Sequence, residues 1–361
     1  MRPLYINGKF LAQRVTGVQR FAGEVLRALD AEWPEDESAV LLVPRGVKAP
    51  LLKRIAVEAV GPHRLPLHVW EQVVLPWRAR AGLLLNLSGS APALAVHRLA
   101  TLHDAAVFDW PSAYSRPFGI WYRNLFRWIA RRDPTLLTVS AFSRRCLAAA
   151  LSLPESRFIV VPGAGEHALQ AATDFGALER LGLAPGRYWL CVASRNPTKG
   201  LDVLERAAVS NGLAALACPV VIAGGDNRAV FSRGSRADEP GGPVRQAGVC
   251  SDAELMTLVR EAFALIVPSR YEGFGLPMLE AMTLGCPVIA TRAGALPEVG
   301  GDAAFWVPAE DAEALSAAMR QLGSSPSLRA ELIEKGLARA RTFAWARSAR
   351  ALGKAVELSR R

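Results

Sequence analysis

Short uninterrupted apolar runs alternate with stretches of helical period along almost the whole chain. In the first half the runs Pro3–Ile6, Val40–Val43, Leu83–Asn86, Leu99–His103, Thr135–Val139 and Phe158–Val161 read as strands. Helical patterns at Val18–Glu32 and Phe118–Arg132 lie between them. A second series follows at Tyr188–Ala193, Val220–Ala223, Ala264–Pro268, Val288–Thr291 and Ala304–Val307. Runs without polar alternation suit strands buried on both faces, and their alternation with helices is the pattern of parallel sheets covered by helices. Two such series predict an α/β chain of two doubly wound domains, residues 1–165 and 166–342, with a further helical segment, 343–361. The glycine-punctuated stretch Pro162–Pro185 reads as the linker, and Ser232–Pro243 as an exposed polar loop. Sheets of this type bind ligands at the carboxyl ends of their strands, so a cleft between the domains is the expected site.

Composition narrows the picture. At 361 residues the chain exceeds one ordinary core, which agrees with two domains. No apolar run approaches the ~18 residues of a membrane span, and MRPLYINGKF lacks a signal-peptide core, so a cytoplasmic location is expected. The five cysteines, Cys146, Cys191, Cys218, Cys250 and Cys286, are scattered without a Cys-x-x-Cys pair and read as reduced, mostly buried thiols. Nearly all of the net charge of +10 lies in the first half, where residues 1–165 carry 21 Lys and Arg against 12 Asp and Glu. Such asymmetry suits an anionic surface, lipid or nucleic acid, or else a solubilising face. No nucleic-acid motif accompanies it, and no nucleic-acid partner is expected. In Ile120–Arg132, arginines 123, 127 and 131 recur beside Trp121, Tyr122, Phe126 and Trp128. This helix is the candidate contact with the inner face of a membrane, although its aromatics also suit a core.

The richest stretch is SRYEGFGLPMLEAMTLGCPVIAT, Ser269–Thr291. Ala264–Pro268 reads as a buried strand, Ser269–Leu276 as a loop, and Pro277 as the first position of a helix closed near Leu284 by Gly285. Gly273 and Gly275 allow close backbone approach, and the helix start favours an anion. Glu280, one turn inside, suits a diol such as a ribose, and Glu272 on the loop is available to a second polar group. Together with ASRNPTKGLDVL (Ala193–Leu204), VIAGGDN (Val221–Asn227), AGVCSDAELMTLVREA (Ala247–Ala262) and LPEVGGDAAFWV, this segment resembles the donor-site signature of the family-4 retaining glycosyltransferases, which have the GT-B fold.

The resemblance implies two Rossmann-like domains and a nucleotide-sugar donor. It assigns Glu280 to the ribose, Glu272 to the transferred sugar, the main chain of Phe274, Gly275 and Leu276 to sugar and diphosphate, and Arg195 with Lys199 to the departing diphosphate. In the first half, Gly17 in NGKFLAQRVTGVQRF matches a glycine-rich turn near the donor phosphates, and His103 at a strand end matches a histidine that contacts the sugar near the reacting carbon. Asp104 either orients that imidazole or caps the next turn. Arg20 meets an anion or lies on the surface, and Ser140–Ser143 lines a cleft or is a plain N-cap. His63, His68, His97 and His167 carry no such match. No Asp-x-Asp motif occurs in the chain, so neither metal nor cofactor is expected. The closing FAWARSARALGKAVELSRR is similar to a segment that returns to the first domain in the family. TGVQRF and SRNPTKG are most similar to bacterial mannosyl- and rhamnosyltransferases of polysaccharide assembly, which implies GDP-mannose as donor and a glycan or polyprenyl-linked acceptor. A nucleotide-sugar epimerase on the same scaffold and a basic nucleic-acid-binding protein are the competing readings.

Overall fold

The computed structural model describes residues 2–209, 218–225 and 244–360. They form two compact units, one of residues as far as Phe108 with Ile120–Gly163 and those from Ala344 on, the other of Asp109–Gly119 and Ala164–Phe343. In the first unit β1 (Leu4–Asn7), β2 (Ala39–Pro44), β3 (Ala56–Val60), β4 (Leu83–Asn86), β5 (Arg98–Thr101), β6 (Leu136–Thr138) and β7 (Phe158–Val160) make one sheet. Its order is β3-β2-β1-β4-β5-β6-β7, and every neighbouring pair is parallel. The second unit holds β8 (Trp189–Val192), β9 (Val220–Ala223), β10 (Val244–Gly248), β11 (Ala264–Val267), β12 (Val288–Thr291) and β13 (Phe305–Val307). They lie in the order β10-β9-β8-β11-β12-β13, again all parallel. The direction of winding reverses between β1 and β4 and between β8 and β11. Loops leaving such a pair diverge to opposite faces, which opens a crevice at the carboxyl edge.

The interior strands are those the apolar runs predict. Two strands, β3 and β10, escape that reading, and both are sheet edges. Glu58 sits inside β3, whose first two residues are exposed, and no residue of β10 is fully buried. An edge strand has one solvated side, so its sequence carries polar groups that break the run. The loop expected over Ser232–Pro243 lies outside the described residues.

The stretch expected as a linker, 162–185, is packed rather than extended. From Ala164 onward it clusters with the second unit, and a short 3-10 turn, Glu166–Gln170, buries His167 and Ala168. Gly165 makes this seating possible, because a Cβ there would lie 2.3 Å from Thr283 Oγ1 and 2.7 Å from the Leu279 carbonyl. The apolar pattern of the segment was too weak to reveal that contact.

The helix Trp345–Arg360 belongs to the first unit, where it packs on the helix Gly17–Glu32. Leu352, Ala355 and Val356 are fully buried, and the Trp345 ring meets Phe21 edge-on at 6.0 Å. Polar contacts fix its ends: Ser348 Oγ donates to the Pro162 carbonyl at 2.6 Å and Arg360 Nε to the Arg2 carbonyl at 2.6 Å. Among the described residues no helix is long and apolar enough to cross a membrane. Leu352→Ala should lower the unfolding free energy by about 2–5 kcal/mol, since it removes a fully buried side chain. Urea denaturation followed by tryptophan fluorescence measures this, and a loss below ~1 kcal/mol would show that the helix is not seated as described.

Candidate functional site

The crevice of the second sheet is built from loops that follow β8 and β11. After β8, Asn196 caps a 3-10 turn, Pro197–Lys199, by accepting from the Thr198 amide at 3.0 Å. After β11, the amides of Arg270 and Tyr271 both donate to the Thr198 carbonyl, at 2.7 and 3.3 Å, so the two loops are joined through their backbones. The Arg270 guanidinium reinforces the joint with paired 2.7 Å bonds to Asp202 and a 2.8 Å bond to the Pro197 carbonyl. These bonds hold Asp202 below the usual carboxylate range.

Fixed in this way, Lys199 Nζ donates to Glu272 Oε1 at 2.7 Å, and Ser269 Oγ donates to the same oxygen at 2.8 Å. The loop glutamate, expected to be available to a ligand, is therefore engaged by the lysine predicted to meet the diphosphate. The pair is only partly enclosed, with Lys199 27% and Glu272 11% exposed, so solvent and ligands can reach it. Arg195 is half-buried in the same loop. Behind the pair, burial pushes the Cys191 thiol up to about 12, which makes it an inert core group. The five cysteines are all free thiols.

The helix Leu276–Thr283 starts at Gly275, whose φ of 99° lies in the left-handed region that a side chain disfavours. A Cβ at this position would also press on Leu296 Cδ2 at 2.6 Å. Phe274 packs edge-on against Phe343 with ring centres 6.0 Å apart, and Leu276 is buried. The helix ends where the sequence places its end, with Gly285 at φ +73° just beyond Leu284. Apart from Thr283 at its end and Glu280 it is apolar, and Glu280 is only 3% exposed. A carboxylate at such depth needs a partner. His167 supplies it, with Nε2 2.9 Å from Glu280 Oε1.

As the partner of Glu280, His167 is a candidate site residue that the sequence did not single out. It lies 113 positions from Glu280 on a turn without periodicity, so no local signal joins the two.

In the first unit His103 follows β5, as expected. Its Nε2 lies 2.9 Å from the Leu87 carbonyl, and its ring stands edge-on to Phe21 at 5.2 Å. A carbonyl only accepts, so Nε2 carries the proton and Nδ1 is the acceptor nitrogen. Burial pushes the imidazole down to about 4, with the Leu87 carbonyl opposing the shift. Asp104 Oδ1 accepts from the Ala106 amide at 2.8 Å, which makes it a cap for the following turn. Ser140 likewise caps the helix Ala141–Leu151 by accepting from the Ser143 amide. Gly17 is the first residue of the helix Gly17–Glu32, is exposed, and has open space where a Cβ would stand.

Residues 183–339 match the family described as glycosyl transferases group 1. The protein is a glycosyltransferase, with two Rossmann-like units of the GT-B fold. It is 29% identical over 269 residues to the O-antigen chain mannosyltransferase B of Escherichia coli, covering 69% of this chain and 68% of that protein. It is 29% identical over 346 residues to the lipopolysaccharide core biosynthesis mannosyltransferase LpsB of Rhizobium meliloti (strain 1021), covering 88% and 92%. In fold it is similar to sucrose-phosphate synthase from Thermosynechococcus elongatus, with a TM-score of 0.72 at 18% identity over 99% of both chains.

His103 is neutral in the folded protein at neutral pH. Because its folded pKa is depressed from 6.5 to about 4, the unfolded chain takes up the proton first as pH falls. The stability it contributes is therefore present above pH ~6.5 and is lost progressively towards pH ~4. An imidazole ¹⁵N titration should give a midpoint near 4 with the proton on Nε2. A midpoint at or above ~6 would contradict the burial described.

Proposed function

We propose that the protein transfers mannose, with retention of configuration, from GDP-mannose to a glycan or lipid-linked oligosaccharide of the cell surface. The observation that carries this reading is the Lys199–Glu272 pair at the β8/β11 crevice of a group 1 glycosyltransferase domain. Diphosphate and lysine are complementary, and so are sugar hydroxyls and carboxylate. A nucleotide sugar supplies both halves at once, so each member of the pair exchanges its partner for a ligand group. Lys199 and Arg195 then stabilise negative charge on the leaving diphosphate, in the role a divalent ion would otherwise fill. No metal is required in this scheme. The start of the helix Leu276–Thr283, with the Phe274–Leu276 main chain, adds a favourable dipole for the same group.

Glu280 binds the ribose hydroxyls, and His167 sets the carboxylate at that position. Glu272 binds the sugar, while His103 offers a neutral hydrogen-bond partner to a sugar hydroxyl near the reacting carbon. None of these carboxylates needs to act as nucleophile. The acceptor attacks from the face the diphosphate leaves, and the diphosphate takes its proton. The mannosyltransferase relatives support both the sugar and the class of acceptor.

Surface chemistry of the first unit supports contact with an anionic lipid surface. Val69, Val73 and Trp77 are 44%, 62% and 67% exposed, and Leu94 and Val96 on a nearby loop are 72% and 77% exposed. Gln72 joins that loop to the helical segment by accepting from the Ala93 amide at 2.8 Å, and Trp128 Nε1 donates to the Ala93 carbonyl at 3.0 Å. Arg80 lies over the Trp77 ring at 5.1 Å and Arg132 over Trp128 at 3.7 Å. Exposed indoles carrying cations suit the boundary between lipid headgroups and acyl chains. The helix Arg116–Arg132 is divided between roles, since Phe126 is core while Trp121 and Trp128 are exposed.

In a thermal-shift panel of GDP, UDP, dTDP and ADP with their sugars, GDP-mannose should raise the melting temperature most. Glu280→Ala should weaken nucleotide binding about 10- to 100-fold and His167→Ala less, as expected for loss of charged hydrogen bonds. Lys199→Ala should instead lower kcat about 100-fold or more. Transfer should persist in EDTA and give the retained anomer by NMR. No stabilisation by any nucleotide would sink the donor assignment, and release of an epimerised sugar without an acceptor would point to an isomerase. On vesicles containing phosphatidylglycerol, Trp77→Ala with Trp128→Ala should reduce co-sedimentation about tenfold. Unchanged binding would remove this face from the membrane proposal.

A further inference from the structure

The first unit contains a buried ionic network that the donor chemistry does not use. It stands at the β1/β4 reversal, where Asn7 ends β1, Asn86 ends β4, and Lys9 and Ser90 lie in the segments that follow. Glu71 reaches them from the π-helical turn Trp70–Val74, a backbone irregularity that recurs at functional positions. Lys9 and Glu71 are 2% and 1% exposed, and Asn7 and Asn86 are fully buried. Lys9 Nζ donates to Glu71 Oε2 at 2.7 Å. Ser90 Oγ donates to Oε1 at 2.7 Å and Asn7 Nδ2 to the same oxygen at 3.1 Å. Asn7 also bonds Asn86 Oδ1 at 3.0 Å, and Lys9 Nζ lies 3.3 Å from Ser90 Oγ.

One carboxylate thus joins three backbone segments. Stability alone does not account for it, because a buried ion pair is often no better than apolar residues of the same volume. What the network does fix is geometry. Ser90 lies three residues after Leu87, whose carbonyl determines the tautomer of His103 across 2.9 Å. That chain of contacts runs from Glu71 through Ser90 and the 87–90 loop to the imidazole.

We propose that Glu71 is a positioning residue: through Ser90 it holds the Leu87–Ser90 loop so that His103 keeps its proton on Nε2 and presents Nδ1 as an acceptor. The consequence for transfer rests on the role given to His103 above. Lys9 balances the Glu71 charge, so the network orients the loop without adding net charge beside the imidazole.

The test uses the full chain, labelled with ¹⁵N-histidine, in the variants Ser90→Ala and Glu71→Gln. Ser90→Ala removes one hydroxyl and leaves the Lys9–Glu71 pair in place, which guards against a Glu71→Gln variant that fails to fold. The double variant Lys9→Met with Glu71→Gln removes both charges together and serves as a second guard. In the folded variants the His103 ring should change from Nε2–H alone to a mixture containing Nδ1–H. The kcat should fall about tenfold while donor KM changes by less than about twofold, a split that general destabilisation does not produce. A His103 ring that stays wholly Nε2–H in Ser90→Ala and in the double variant overturns the proposal, whatever the activity. A changed tautomer with unaltered kcat upholds the link from Glu71 to His103 and instead overturns the part given to His103 in transfer.

Discussion

The ion pair between Lys199 and Glu272 exists because winding reverses between β8 and β11. Only at that reversal do two loops from adjacent strands face each other across a crevice, so a cation from one and a carboxylate from the other can meet. Much of the surrounding structure holds those two loops in register: the Thr198 carbonyl shared by two amides, the Asp202–Arg270 clamp and the Ser269 hydroxyl. The first sheet has the same reversal and also places a lysine and a glutamate beside it. Their burial separates the two pairs in kind. Lys9 and Glu71 are sealed and therefore fixed, whereas Lys199 and Glu272 remain reachable and therefore exchangeable. Dielectric environment thus turns similar chemistry to different ends.

Much of this was legible in the sequence, for identifiable reasons. Central strands read correctly because burial on both faces demands continuous apolar runs, as at β4 and β12. The edges β3 and β10 did not, because one solvated side relaxes that demand. Around the β8/β11 crevice, Lys199, Gly275, Glu272 and Glu280 lie in short motifs whose order is informative, so they could be named as candidates before any coordinates. Their present partners could not. Glu272 read as available, yet it is held by Lys199, and Glu280 depends on a histidine from a segment that read as a linker. Lys9 and Glu71 are single charges in unremarkable surroundings, 62 residues apart. Nothing local distinguishes a sealed charge from a solvated one.

The basic excess of the first half also resolves into particular tasks. Arg98 lies inside the unit, bonded to Asp133 at 2.8 Å and to the Pro92 and Ala93 carbonyls at 2.9 and 3.0 Å, where it anchors the loop carrying Leu94 and Val96. Arg80 and Arg132 instead lie over exposed indoles. Net charge records neither difference. Counting cations suggested an anionic partner, but only their placement distinguishes those that brace a loop from those that face solvent.

The helix Trp345–Arg360 has a consequence for how the molecule is made. Its Arg350 pairs with Glu32 across 318 positions of sequence, and its apolar face completes the core over the helix Gly17–Glu32. During synthesis the first unit therefore waits, with that face uncovered, until the whole second unit has left the ribosome. Domains that close on contiguous sequence can complete their cores as they emerge, but this one completes its core only with its last helix. The second unit is complete sooner, and the nascent first unit is the portion that needs protection from aggregation in the interval.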